Sequence, residues 1–307
     1  MFNFRTDLAN ERRDIYKKAN KIENEIPGVD AEEEQINENI NVTRVKITDD
    51  SGVQALGKPI GSYITIDVNN LKIADENEIQ EAADSLAKEL KVLIDKNSQI
   101  KDDILIVGLG NLKVTPDALG PKVVSYIDIT RHLLEYVPDA MDKDTRPVSA
   151  ISPGVLGTTG IETLEILKGV VQNIKVKLII VIDALASRSM ARVSNTIQLA
   201  DTGITPGAGV GNRRQDISIE TLGVPVIAIG VPTVVDVATI TSDAIDIFIE
   251  QNKDKNLEWL SGKDKYEMIK EALIPKDYNF IVTPKEIDEL IDNMSNVVAR
   301  GINLSLQ

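Results

Sequence analysis

A chain of 307 residues is long enough for one large α/β domain or two small ones, and 42% hydrophobic content supports a sizeable core. Its 48 acidic residues outnumber 34 basic ones, and the resulting charge of −14 argues against nucleic acid and anionic membrane as direct partners. Cysteine is absent and His132 is the only histidine, which removes disulfide scaffolds, thiol nucleophiles, Cys/His zinc clusters and most histidine-based triads.

The first seven residues, Met1 to Asp7, lack an apolar run of signal-peptide length, and no stretch reaches the roughly 18 apolar residues of a membrane span. A soluble cytoplasmic protein is expected. Residues 8–24 are charged, with Leu8, Ile15, Ala19 and Ile22 near helical spacing, which predicts a surface helix. Residues 23–39 are acidic and contain Pro27-Gly28, so they read as a loop. The segments Val42–Ile47 and Tyr63–Val68 alternate with period two, as half-exposed antiparallel neighbours do. Ile79, Ala82, Leu86, Leu90 and Leu93 mark one face of a helix that leads into the apolar run Ile104–Val107.

From there the rhythm is βα. Thr115 is placed to cap a helix with Pro116 at its first position and Leu119, Val123, Val124 and Ile127 on its buried stripe. Thr159 with Glu162 reads as a capping box for a helix burying Ile161, Leu164, Leu167 and Val171. The runs Leu178–Ile182 and Val224–Ile229 read as buried strands. Thr283 to Glu286 opens a last helix whose core face is Ile287, Leu290, Ile291, Met294, Val297 and Val298. Residues 251–272 are polar and predict an exposed excursion, and no repeat or linker divides the chain. The expected fold is therefore a single α/β domain built on a twisted, largely parallel sheet flanked by helices.

With thiols and imidazole pairs gone, carboxylates remain for acid–base work. Asp117 follows the Ile104–Val107 run and Asp183 ends the Leu178–Ile182 run. Ligands of open α/β sheets bind outside the carboxyl ends of such strands. Alone, Asp117 could simply favour a helix start by roughly 0.3–1 kcal/mol, and Asp183 could cap the following turn. Together at one sheet edge they could share a proton, with Asp117 as base and Asp183 as its protonated partner. Gly108-Leu109-Gly110 follows a strand, but Lys113 replaces the third glycine of a dinucleotide fingerprint, so a tight turn explains both glycines. The glycine-rich loop Thr205–Arg214 ends in Arg213 and Arg214 and either frames a cleft or lies on the surface. His132 is expected to pack or hydrogen-bond rather than catalyse, and no serine sits in a nucleophile elbow.

The stretches Val107–Asn111, Val114–Pro121, Arg146–Ser149, Ser152–Val155, Thr159–Thr163, Ile182–Ala186, Asp201–Ile204 and Leu222–Asp236 together resemble the spore germination proteases. The likeness continues through Val282–Glu286 and runs from about Arg5 to the C-terminus. The resemblance implies an endopeptidase that degrades small acid-soluble spore proteins in the spore core. It also implies an aspartic-type mechanism using Asp117 and Asp183, and a fold like that of hydrogenase-maturation endopeptidases. It further implies a homotetramer without cofactor or metal, made as a zymogen. The propeptide would be residues 1–7, short for the family, leaving a peptidase domain over 8–307 after a cut between Asp7 and Leu8. Cleavage after an acidic residue would suit Arg213 or Arg214 as substrate contacts. Two alternatives stay open: a metal-assisted peptidase with both aspartates as ligands, and a non-enzymatic assembly protein in which they are structural.

Overall fold

The computed structural model describes residues 6–69, 71, 74–208, 214–252, 268–269, 271 and 280–307. The charged N-terminal segment forms α1 (Ala9–Asn20) as expected, although its first turn is sunk into the protein, with Ala9, Asn10 and Glu11 buried. Then follow β1 (Val29–Gln35), β2 (Ile40–Ile47), α2 (Asp50–Leu56), β3 (Gly61–Val68) and α3 (Glu76–Asn97). The central part comprises β4 (Ile104–Gly108), α4 (Leu119–Val124), α5 (Arg131–Tyr136), β5 (Val148–Ile151), α6 (Leu156–Thr159) and α7 (Thr163–Ile174). The chain continues through β6 (Leu178–Ser187), β7 (Thr196–Ala200), α8 (Ile219–Leu222), β8 (Val226–Asp236) and α9 (Val237–Asn252). The last described elements are β9 (Ile281–Val282) and α10 (Ile287–Ser305).

All these strands join one sheet in the order β1-β2-β3-β7-β8-β6-β4-β5, with β9 added alongside β8. Strands β5, β4, β6 and β8 are mutually parallel. The flank β1-β2-β3-β7 and the β7–β8 junction are antiparallel. The expected sheet between helices is present, and its parallel part holds the candidate site. Ile180, Ile182, Ile227 and Ile229 face Leu86 and Leu90 of α3 and Met294 and Val298 of α10 in one core. Ile179, Val181 and Ala228 face the opposite layer, which includes Ala9, Leu56, Leu164 and Leu167. Burial on both faces is why β6 and β8 read as unbroken apolar runs.

Several local expectations are corrected. Residues 29–35, expected within a loop, are an edge strand; its glutamates are tolerated because the edge faces water. Glu34 also meets Arg44 of β2 at 2.7 Å, and Arg44 meets Glu89 of α3 at 2.6 Å. Thr115 makes no side-chain cap and opens only a 3-10 turn, Thr115–Asp117, ahead of the short α4. Thr159 likewise ends α6, and the capping box that starts α7 is Glu162 with Glu165, leaving Ile161 exposed. At α10 the N-cap is Glu286 without a side-chain cap bond, while Thr283 donates to the Thr233 carbonyl. The stretch 251–272 lies almost entirely outside the described residues.

Candidate active site

The strand β4 stops at Gly108, paired with Ile182, while β6 continues to Ser187. Asp183 is therefore not a strand end. It is a mid-strand residue of β6, paired with Gly230 of β8, at the first position beyond the reach of β4. The step between the two strands leaves its side chain facing the space that opens there. Asp117 is brought to the same place by the turn leaving β4. Gly110 has φ +115°, and a Cβ there would lie 2.0 Å from the Asp117 carbonyl oxygen. A Cβ at Gly108 would lie 2.2 Å from the Gly120 carbonyl oxygen. These two glycines let residues 117–120 lie directly against the end of β4, which accounts for them without a dinucleotide.

Asp117 and Asp183 line one cleft, together with Leu185, Arg214 and Asp7. Asp183 is 5% exposed, and its Oδ1 accepts the Ala184 N–H at 3.0 Å. Burial, then the charges of Asp117 and Asp7, push its carboxyl well above the ordinary range. Asp117 is half-buried and is pushed up to about 6 by desolvation, moderated by the Asn111 backbone N–H.

The N-terminal segment is built into this cleft. The Asp7 N–H donates to the Ala186 carbonyl at 3.1 Å, and the Ala186 N–H donates to Asp7 Oδ2 at 3.0 Å. Gln198 of β7 donates from Nε2 to the Asp7 carbonyl at 3.2 Å, and its Oε1 accepts the Ala9 N–H at 2.6 Å. Leu8, between them, is fully buried. Glu11 anchors the following turn. Its carboxylate accepts the Thr6 hydroxyl and the Arg188 N–H and lies 3.4 Å from Arg192 Nε. Burial nevertheless raises its pKa.

The sequence-derived candidates thus separate. Asp7, Asp117 and Asp183 converge, and Leu8 is buried beside them. Arg214 borders the cleft and sits 3.7 Å from Glu162, whereas Arg213 lies outside the described residues. His132 is exposed, so the expected packing role is not what the structure shows. Its neighbour Arg131 lies 3.8 Å from Asp103, which precedes β4 at the end opposite Asp117. Replacing His132 with Ala should leave peptide cleavage unchanged and stability within about 0.5 kcal/mol, as for ordinary surface positions. Loss of activity in a folded variant, followed by peptide assay and thermal melt, would contradict this placement. Sequence reasoning missed Gln198 and Glu11. The available signal at Gln198 was a long polar side chain between Ile197 and Leu199 in a strand buried throughout.

Among the described residues, no group of three or more His, Cys, Asp or Glu side chains is disposed to hold a metal ion. No described helix is long and apolar enough to cross a membrane.

A family model described as "Germination protease" matches residues 6–258 and 256–307. The chain belongs to the germination protease family. It is 53% identical to a germination protease of Caldanaerobacter subterraneus subsp. tengcongensis, over 99% of this chain and 94% of that protein. A Clostridium perfringens germination protease is 49% identical over 100% of this chain and 96% of its own length. One from Priestia megaterium is 43% identical over 99% and 94% respectively. Membership in the germination protease family makes the chain a peptidase.

Proposed function

We propose that the chain is an aspartic-type endopeptidase in which Asp117 and Asp183 act as one acid–base unit on a peptide bond laid across the cleft. The observation that carries this reading is the convergence of the two carboxyls in one cleft, with Asp183 buried and held toward its protonated form. Two carboxyls so placed do not both ionise at neutral pH, so the pair holds one proton. Asp117, the less buried, is the base that takes a proton from water. The water oxygen then attacks the carbonyl carbon, and Asp183 gives its proton to the departing amine.

Asp7, which lines the same cleft, is followed by Leu8, so an acidic residue precedes a large apolar one. That supports a zymogen whose residues 1–7 are removed by its own carboxylates, leaving a single peptidase domain over 8–307. The family likeness supports small acid-soluble spore proteins as substrates, in the cytoplasm of the spore core, and Arg214 at the cleft would attract their acidic side chains.

Mass spectrometry of the purified full chain tests this directly. Loss of Met1 to Asp7 is expected from the unaltered protein and not from Asp183→Asn. Equal trimming of both in a protease-free preparation would overturn the reading. The homotetramer is a separate expectation drawn from the family likeness, and light scattering at working concentration should give about four times the 33.6 kDa chain mass. A stable monomer would refute it.

A further inference from the structure

Asp183, Gly230 and Gln198 occupy one row across β6, β8 and β7, because Asp183 pairs with Gly230 and Gly230 pairs with Gln198. Side chains of directly paired residues share a face of a sheet, and strands lie about 4.8 Å apart, so the two functional side chains rise roughly 10 Å apart. The residue between them contributes no side chain. A Cβ on Gly230 would meet Leu185 Cδ1 at 2.2 Å, so the floor of the gap is the apolar Leu185. Residues 7–9 are hydrogen-bonded to one side of this row.

We propose that Gln198 is a catalytic residue of this site, the donor that stabilises the oxyanion formed at the carbonyl under attack. The proposal rests on the reading of Asp7–Leu8 as the bond that is cut. The carbonyl of that bond is the Asp7 carbonyl, and its oxygen accepts from Gln198 Nε2 at 3.2 Å. The same carboxamide accepts the Ala9 N–H through Oε1 at 2.6 Å, two residues along the chain. One end of the amide faces a group that can only donate, and the other faces a group that can only accept. The orientation of the amide is therefore dictated by chemistry. Gln198 brackets the bond, registering the peptide with one atom and polarising its carbonyl with the other.

When water adds to the Asp7 carbonyl carbon, the C=O π pair moves onto oxygen, and the Nε2–H lies where that charge develops. Collapse restores the carbonyl, breaks the C–N bond to Leu8 and leaves an acid and an amine. A donor fixed on a central strand, above an apolar floor, needs no reorganisation and is poorly screened by water. With the Asp183 proton given to the departing amine, the oxyanion is left to another donor.

Four forms of the full chain test the assignment by the rate at which residues 1–7 are lost: unaltered, Asp183→Asn, Gln198→Met and Gln198→Glu. Gln198→Met removes donor and acceptor at similar volume and should slow trimming by about 10²–10³-fold, the range for a lost oxyanion donor. Gln198→Glu should be as slow at pH 7, where a carboxylate cannot donate. Its rate relative to the unaltered chain should rise as pH falls toward 5, because a protonated Glu donates again, while the Gln198→Met ratio stays flat. A glutamine whose hydrogen bonds to residues 7 and 9 play no part in cleavage predicts no such difference. Gln198→Met trimming within about threefold of the unaltered chain, or a Gln198→Glu ratio independent of pH, would overturn the proposal.

A result independent of folding comes from the unaltered, trimmed enzyme acting on a peptide copying Met1–Asp14. N-methylation of the residue matching Ala9 should slow cleavage at least tenfold more than N-methylation at the Asn10 position, and equal rates would overturn the proposal. If the unaltered chain is not cut at Asp7–Leu8, or Asp183→Asn is cut as fast, the underlying dyad reading fails and this assignment falls with it. That outcome is distinct from an intact dyad indifferent to Gln198.

Discussion

Replacing Asp117 or Asp183 with Asn should reduce peptide cleavage at least 100-fold while leaving the fold in place. The size follows from general acid–base contributions of roughly 10²–10⁴-fold, and Asn keeps the shape of each side chain without its proton chemistry. Because the two carboxyls are proposed to act on one proton, the double variant should be little slower than either single one. The acid limb of kcat/KM in the unaltered enzyme should fall near pH 6, where Asp117 is pushed by burial, since protonation removes the base. Activity should rise through that value and decline again when Asp183 loses its proton. Exhaustive chelation should leave turnover intact. A folded single variant with near-normal turnover would refute the dyad, and loss of activity to chelator, restored by a divalent cation, would turn both aspartates into ligands.

The second large effect is on stability and has the opposite sign. Asp183 is buried, and its folded-state pKa is raised, first by desolvation and then by Asp117 and Asp7. Above the unfolded value of about 3.9 the folded chain holds a proton that the unfolded chain releases. Stability therefore falls as pH rises through that window, by roughly 1.4 kcal/mol per pH unit while the folded group stays protonated. Asn cannot ionise and removes the penalty. Asp117→Asn and the double variant Asp117→Asn, Asp183→Asn form the clean comparison, since neither should trim itself. Burial, the largest cause of the shift, persists at Asp183 when Asp117 is replaced. At pH 7 the double variant should melt at the higher temperature. The gap should narrow on acidification toward pH 4. A double variant that melts lower at pH 7, or a gap that widens in acid, would contradict a buried, protonated Asp183.

Much of the architecture was legible because burial writes itself into composition. The two apolar runs ahead of Asp117 and Asp183 are strands covered on both faces, and the Ile291–Val298 stripe of α10 faces the core as its spacing required. The failures are equally physical. Residues 29–35 looked like a loop because an edge strand can carry Glu32, Glu33 and Glu34 where a central strand cannot. Asp183 looked like a strand end because apolar periodicity stops there, yet the ladder to β8 continues through backbone bonds that no side chain advertises. The capping box of α7 was misplaced by three residues, as local signals overlap at Thr159, Glu162 and Glu165. Asp117 and Asp183 stood out only because few other reactive groups exist in the chain. Gln198 did not stand out, since the Asp7 carbonyl it contacts lies 191 positions away in sequence.

The way α1 begins has a consequence for what trimming leaves behind. Its N-cap, Leu8, contributes no side-chain cap, and the Leu8 N–H leans on the Thr6 hydroxyl at 3.1 Å. A cut before Leu8 would discard that partner and convert the amide into an ammonium at the positive end of a helix, a mismatch of about 0.3–1 kcal/mol. Glu11 would lose the Thr6 hydroxyl in the same event. The first turn of α1 would then be held by fewer bonds than before and would fray. The cleft would so exchange an immobile occupant for a loosened threshold, and a one-time covalent event would become a lasting change in access.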